Sequence, residues 1–404
     1  MQSEAEELKS QLAAADTMIA TLSRALAESE ARIGEAGPAE TTSDTRVAAA
    51  PREGPTTEPG GETPAAFARA DDETITAVGD LAKNEFCHGR PESAAAIARL
   101  ILERIPNQFE AGRILSLVRP LERADGPPLR QRAPYHLALG DAYRMLGETG
   151  AAATHYNTAL TFERDLANAQ GGLAALRMPG PNYLYWLDRF YQILKPRSVI
   201  EIGVCQSASL ARVQRPAIAL GIDPLPSVAY PLQTQTHIFA ETSDEFFGQR
   251  NVRTYLAAEP LSIGFIDGLH LFEQALRDFI NLEKYCDAHS MVMFHDTIPF
   301  DELTQRRVPE VHFSTGDIWK TILCLKSCRP DLDIFTIATP PTGLTVVTGL
   351  DPASQILTNT YDDAVARFID IPFSTIEDAR ETALNIVPND WEFVEARLKA
   401  RGVI

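Results

Sequence analysis

The chain has 404 residues, which at ~100–200 residues per domain is room for two domains and more. Hydrophobic residues make up 45% and charged residues 23%, enough apolar material to exclude a wholly disordered chain. The formal charge is −18, from 37 basic and 55 acidic residues, which speaks against nucleic acid and anionic membrane surfaces as partners, since both recruit Lys and Arg. Cys87, Cys205, Cys286, Cys324 and Cys328 are odd in number and form no CxxC, so neither a disulfide framework nor a zinc site is expected. Cys324 and Cys328, one helical turn apart beside Leu323 and Leu325, read as packing. No run approaches the ~20 apolar residues of a membrane span, and MQSEAEELKSQL lacks the basic and apolar regions of a signal peptide. The expectation is a soluble, cytoplasmic protein with reduced thiols.

Residues 1–73 hold 15 acids and six bases, half of the net charge. Within them Leu8, Leu12, Ala15, Ile19, Leu22, Leu26, Ser29 and Ile33 alternate steps of four and three, a heptad seam. A coiled-coil arm over 1–33 would bury that seam in a homo-oligomer; a single solvated helix is the alternative. Residues 34–72 carry five Pro, five Gly and six Thr with no Leu or Ile, the composition of a flexible linker.

From 73 to 178 the pattern is helical. Leu81, Ala82, Gly89, Ala94, Ala98 and Pro106 recur in kind as Leu139, Gly140, Tyr143, Gly147, Ala152, Tyr156 and Ala159. Glycine opens the turn between paired helices, alanines let them approach, and proline stops the second. These positions resemble the tetratricopeptide repeat family, although no proline follows near Arg164. The copies are separated by an extra helix at 109–123 and a loop at 124–132. Two copies are short of the ~3 that a free solenoid needs. A protein-binding groove and a helical shoulder packed on the next domain both remain open.

Next come short apolar runs: SVIEI (198–202), AIALGI (217–222), THIFA (236–240), LSIGFI (261–266) and MVMF (291–294). Uninterrupted apolar strands suit a parallel sheet covered on both faces. DIFTIAT (333–339) and LTVVTGL (344–350), joined by PPTG, demand an antiparallel hairpin. No G-x-G-x-x-G follows the first strand, which counts against a nicotinamide-dependent oxidoreductase.

This α/β arrangement resembles the class I S-adenosylmethionine-dependent methyltransferases, whose Rossmann-like sheet has seven strands and a terminal antiparallel hairpin. The resemblance rests on EIGVCQSAS (201–209), GIDP (221–224), FIDGLHLFEQALRDF (265–279) and FHDT (294–297). It implies cofactor binding by Glu201, Gly203, Ser207, Asp223 and Asp267, with Gly203 letting the backbone meet the methionine part and Asp223 accepting from the ribose hydroxyls. Cys205, Ser207 and the pair His289–Ser290 stand where relatives often have glycine. Asp223 could instead be an ordinary turn residue before Pro224, and Asp267 a cap for the helix that follows.

Asp267-x-x-His270 and His295-Asp296 are further similar to the metal-assisted O-methyltransferases, including macrocin-type and cephalosporin-hydroxylase-like proteins. The resemblance implies Mg²⁺ held by Asp267 and Asp296, His270 as general base, and His295 as a second catalytic or substrate contact. It gives a domain at 179–350. The tail 351–404 reads as a helical extension, with Trp391, Phe393, Val394 and Leu398 as a packing stripe. The expected activity is methyl transfer to an oxygen of a sugar or other hydroxylated small molecule. The alternative is an oligomeric adaptor carrying a degenerate methyltransferase domain.

Overall fold

The computed structural model describes residues 72–88, 90–106, 108–118, 133–257 and 259–404. The expected arm, nearly all of the expected linker, Gly89 and the loop 124–132 lie outside the described residues. Among the described residues no helix is long and apolar enough to cross a membrane.

Among the described residues six helices come first: α1 (Asp72–Cys87), α2 (Pro91–Arg104), α3 (Phe109–Val118), α4 (Ala133–Met145), α5 (Thr149–Phe162) and α6 (Ala167–Arg177). Pro91 sits in the first turn of α2, where its missing N–H costs nothing, and the helix ends at Arg104 before Pro106. Gly147 makes the turn between α4 and α5 at φ +77°. The Tyr156 ring is fully buried between Gly140 and Gly172, where a Cβ on either glycine would strike it. Its hydroxyl donates to Asp141 Oδ1 at 2.6 Å and accepts from Arg144 Nε at 3.1 Å. α1–α3 and part of α4 form one apolar cluster, whereas α5 and α6 share a cluster with one face of the sheet that follows.

After α7 (Tyr183–Leu194) the strands are β1 (Ser198–Ile202), β2 (Ile218–Ile222), β3 (Gln235–Phe239), β4 (Ile263–Ile266), β5 (Met291–His295), β6 (Asp333–Ile337), β7 (Leu344–Thr348) and β8 (Ile386–Val387). Their order is β3-β2-β1-β4-β5-β7-β6-β8. β1 to β5 are parallel, and β7 runs antiparallel to both β5 and β6. The parallel strands and the hairpin are as the apolar runs suggested. The strand number is not: the sheet has eight strands, not seven. Ile386 and Val387 add in parallel to Thr336 and Ile337, and Thr336 N–H and Ala338 N–H donate to Asn385 and Val387. This short strand satisfies backbone groups on β6 that would otherwise face water.

Helices on the sheet carry the site. α8 (Ser243–Gln249) follows β3, α9 (Val252–Tyr255) leads toward β4, α10 (Phe272–Glu283) joins β4 to β5, and α11 (Trp319–Cys328) precedes β6. Trp186 and Phe190 of α7 cover one face together with Val394 and Leu398 near the C-terminus. Of the expected stripe, Val394 and Leu398 are buried and Trp391 is partly so, but Phe393 is 45% exposed. Cys324 is buried in the core, as the packing reading required.

Candidate active site

The strand order reverses between β2-β1 and β4-β5, which opens a crevice beyond the carboxyl ends of β1 and β4. A cavity of about 910 Å³ lies there, within the size range of small-molecule sites. Gly203, Cys205, Asp223, Asp267, His270, His295 and Asp296 all border it. Residues up to 93 positions apart in sequence thus meet because each stands at the end of a strand or one turn beyond.

The β1 turn is built differently from the expectation. Gly203 has φ +91°, and a Cβ there would run into the carbonyl of Asp267. The glycine is therefore required first by the neighbouring strand's backbone, before any ligand is considered. Cys205 and Ser207 hold φ +45° and +65°, left-handed values that favour glycine, so the glycine that the resemblance expects there would suit this backbone. Neither Glu201 nor Ser207 borders the cavity. Glu201 is fully buried and accepts from Ser209 Oγ at 2.7 Å, and burial pushes its carboxyl well above the usual range. Ser207 is buried beneath the next loop, its hydroxyl accepting from Tyr230 N–H at 3.4 Å.

Asp223 at the end of β2 does border the cavity. Its Oδ2 accepts from Cys205 N–H at 2.8 Å and Oδ1 from Leu225 N–H at 2.7 Å. The turn role and a ligand role coexist here, since each oxygen keeps a further lone pair.

The titratable cluster borders the same cavity. His270 Nε2 is 3.1 Å from Asp296 Oδ2 and 3.7 Å from Asp267 Oδ1. His295 Nδ1 is 3.1 Å from Asp267 Oδ1 and 3.4 Å from Asp296 Oδ1. Burial disfavours the charged imidazoles, but the two carboxylates outweigh it and hold His270 at about 9 and His295 at about 10. Burial likewise disfavours the charged carboxylates, and the imidazoliums outweigh it, so Asp267 and Asp296 both lie below the usual range. Asp296 has φ +57° and accepts from the Thr342 hydroxyl of the β6–β7 turn. His295 Nε2 is buried without a hydrogen-bond partner.

Asp267, His270 and Asp296 each offer an atom within 4.8 Å of the others. Two carboxylates and an imidazole are donors that Mg²⁺ or Mn²⁺ accepts, so these residues fit a divalent cation. The arrangement adds His270 to the two expected ligands. Asp267 does not cap α10; the side chain that does is Asp317, which accepts from Phe272 N–H at 2.8 Å. Ser290, where the resemblance leads one to expect glycine, donates to Leu261 O at 2.6 Å and builds the turn into β5.

Sequence reasoning missed Tyr183, Thr242, Ser243, Asp244, Gln274 and Asp278, which also border the cavity. Asp278 is buried, and burial pushes it up to about 6. Only the T-x-x-E capping box of α8, Thr242 with Glu245, left a mark in the sequence.

No protein-family model and no curated protein matches the chain. Solved structures similar to it include an O-methyltransferase from Bacillus cereus in complex with S-adenosylhomocysteine, at 12% identity over 48% of this chain and 90% of that one, TM-score 0.32. Another is the O-methyltransferase TomG from Streptomyces achromogenes, involved in tomaymycin synthesis and bound to S-adenosylmethionine, at 15% identity over 48% and 95%, TM-score 0.33. A third is the S-adenosylhomocysteine-bound methyltransferase PaMTH1 of Podospora anserina, at 14% identity over 61% and 97%, TM-score 0.30. Likenesses this remote decide nothing about the chemistry of this chain, which rests on the strand order and on the residues at the rim.

Proposed function

We propose that the chain is an S-adenosylmethionine-dependent O-methyltransferase acting on a sugar-like or other small hydroxylated acceptor. The observation that carries this reading is one cavity bordered both by Gly203 and Asp223 and by Asp267, His270, His295 and Asp296. Asp223 would accept from the ribose hydroxyls, and the backbone at Gly203 and Cys205 would border the methionine part.

S-adenosylmethionine supplies an already activated methyl, which leaves alignment and deprotonation to the protein. A divalent cation at Asp267, His270 and Asp296 would supply charge compensation and acidify an acceptor hydroxyl. In the arrangement described above His270 is protonated at neutral pH, because two carboxylates hold its proton. Compensating those carboxylates frees the imidazole either to accept the acceptor's proton or to serve as a ligand. Tyr183 packs its ring on His295 at the cavity wall.

The same reading places a helical module at 73–178 and a transferase domain from 179, with the segment 351–404 completing it by adding β8 to the sheet expected to close at 350. It places the protein in the cytoplasm, assembled through residues 1–33. The shared cluster of α5, α6 and the sheet favours a packed shoulder over a peptide groove for the second repeat.

Calorimetry with S-adenosylhomocysteine tests the cofactor half. Methyl transfer from labelled S-adenosylmethionine to a panel of sugars and polyols, with chelator and with Mg²⁺, tests the rest. A chain that binds neither S-adenosylmethionine nor its product would be the adaptor.

A further inference from the structure

The loop from β5 to α11 leaves one half of the titratable cluster and returns to the other. It starts at His295 and Asp296 and ends at Gly316 and Asp317, which close on the backbone of His270. Gly316 has φ +54°, and a Cβ there would strike the His270 carbonyl. The Asp317 N–H donates to that same carbonyl at 3.2 Å.

The Asp317 side chain is fully buried and has partners on every side. Oδ1 accepts from Phe272 N–H at 2.8 Å and so caps α10, whose own N-cap residue, Leu271, has no side-chain acceptor. Oδ2 accepts from Arg307 Nη1 at 2.7 Å and from Lys320 Nζ at 3.1 Å. Arg307 then forks onto Glu273, Nη1 to Oε2 at 2.9 Å and Nη2 to Oε1 at 2.5 Å. None of Asp317, Arg307, Lys320 or Glu273 borders the cavity.

An ion network around a buried carboxylate, with Arg307 and Glu273 only partly buried, is a poor source of net stability, because desolvation offsets the attraction and solvent screens the rest. What this one does supply is fixed geometry. It grips the chain at His270 and again at Phe272 and Glu273, so the residue between cluster and helix has no freedom to shift.

We propose that Asp317, oriented by Arg307, is a positioning residue for His270. It sets the backbone that carries the imidazole, and through it the reach of Nε2 to Asp296 and Asp267. This rests on the reading that His270 works in the proposed site, and it extends that site to a loop bearing no cavity residue at its far end.

The test uses the full chain with histidines labelled for ¹³C NMR at one fixed pH. Arg307→Gln removes the fork while Lys320 still balances Asp317, so the fold is retained even if Asp317→Asn fails to fold. The expected result is a shifted or broadened His270 Cε1–H resonance in Arg307→Gln, with those of His237 and His289 unmoved. Arg307→Lys, which keeps the charge, should return part of the way. With labelled S-adenosylmethionine and a responsive acceptor, turnover should fall by up to about a hundredfold while the KM for S-adenosylmethionine is kept, as expected of a misplaced group. A His270 resonance identical to the parent's in Arg307→Gln overturns the proposal. If the parent fails to bind S-adenosylhomocysteine, the methyltransferase reading falls, and the resonance alone still decides whether the clamp positions His270.

Discussion

The Tyr183 ring lies across His295, with centroids 4.0 Å apart and planes inclined by 34°. Tyr183 opens α7, whose capping side chain is Asn182, and its own N–H donates to Pro340 O at 3.2 Å. The ring thus covers an imidazole whose Nε2 has no partner. We expect Tyr183→Phe to keep the cover and to retain S-adenosylhomocysteine affinity and turnover. Tyr183→Ala should admit water and cut turnover by about 10-fold or more, as loss of an excluding group does. Equal rates for the two variants would show that the cover is irrelevant.

Asp296→Asn keeps the shape and suits the left-handed backbone. It should leave S-adenosylhomocysteine binding intact while abolishing the response to added Mg²⁺ or Mn²⁺. His270→Ala should lower turnover by about 10²–10⁴-fold if that imidazole takes the proton. Calorimetry and rates on the same preparations separate the two roles, and full parental activity in chelator would remove the cation from the account.

The cluster also sets a pH window for stability without a divalent cation. His270 and His295 are raised to about 9 and about 10, above the ~6.5 of free histidine. Their contribution is complete below ~6.5 and is lost as pH climbs through those higher values. Asp267 and Asp296 are lowered, so theirs is present above ~3.9 and is lost as pH falls through their depressed values. Melting curves in chelator should show the parent losing its advantage over His270→Gln between about pH 7 and pH 10. Parallel curves across that range would contradict the charge assignment.

Gly203→Ala and Asp223→Ala should behave differently. The first drives a methyl into the Asp267 carbonyl at φ +91°, so the melting temperature and S-adenosylhomocysteine affinity should fall together. The second should cost about 1.5–3 kcal/mol of affinity, the worth of hydrogen bonds to a charged group. Its stability loss should be confined to the loop after β2. A Gly203→Ala protein as stable as the parent would mean that the β1 and β4 turns can separate.

In the helical module, Gly140→Ala should press on the Tyr156 ring, which Gly172 backs from the other side. With no room to retreat, overpacking of about 1–3 kcal/mol is expected by thermal or urea melts. A neutral substitution would show that Tyr156 can turn aside.

Much of the sheet was legible because its strands are uninterrupted apolar runs, and SVIEI begins and ends where β1 does. The cluster was legible because its members follow strands directly, so their chain position fixes where they emerge. What stayed hidden depends on contacts distant in sequence. Tyr183 precedes β1 in a helix rich in aromatics, with nothing to set it apart from Tyr185 or Tyr191. Asp317 lies in a loop without regular pattern, and its partners are set only when that loop folds back. A motif gives the order of residues, not which side chains turn inward, so nothing in EIGVCQSAS separates Glu201 and Ser207, which stand off the cavity, from Gly203 and Cys205, which border it. β8 is two residues long, too short to carry an alternation.

The short pairing of Ile386 and Val387 with β6 has a practical consequence for anyone trimming the chain. A protein ended after Leu350, at the boundary the sequence suggests, would lose β8 together with buried Val394 and Leu398. The outer rim of β6 would then offer unpaired amides and carbonyls beside a newly bared apolar face. That is a template for strand addition from a second molecule, so such a fragment should accumulate as aggregates rather than as a minimal enzyme.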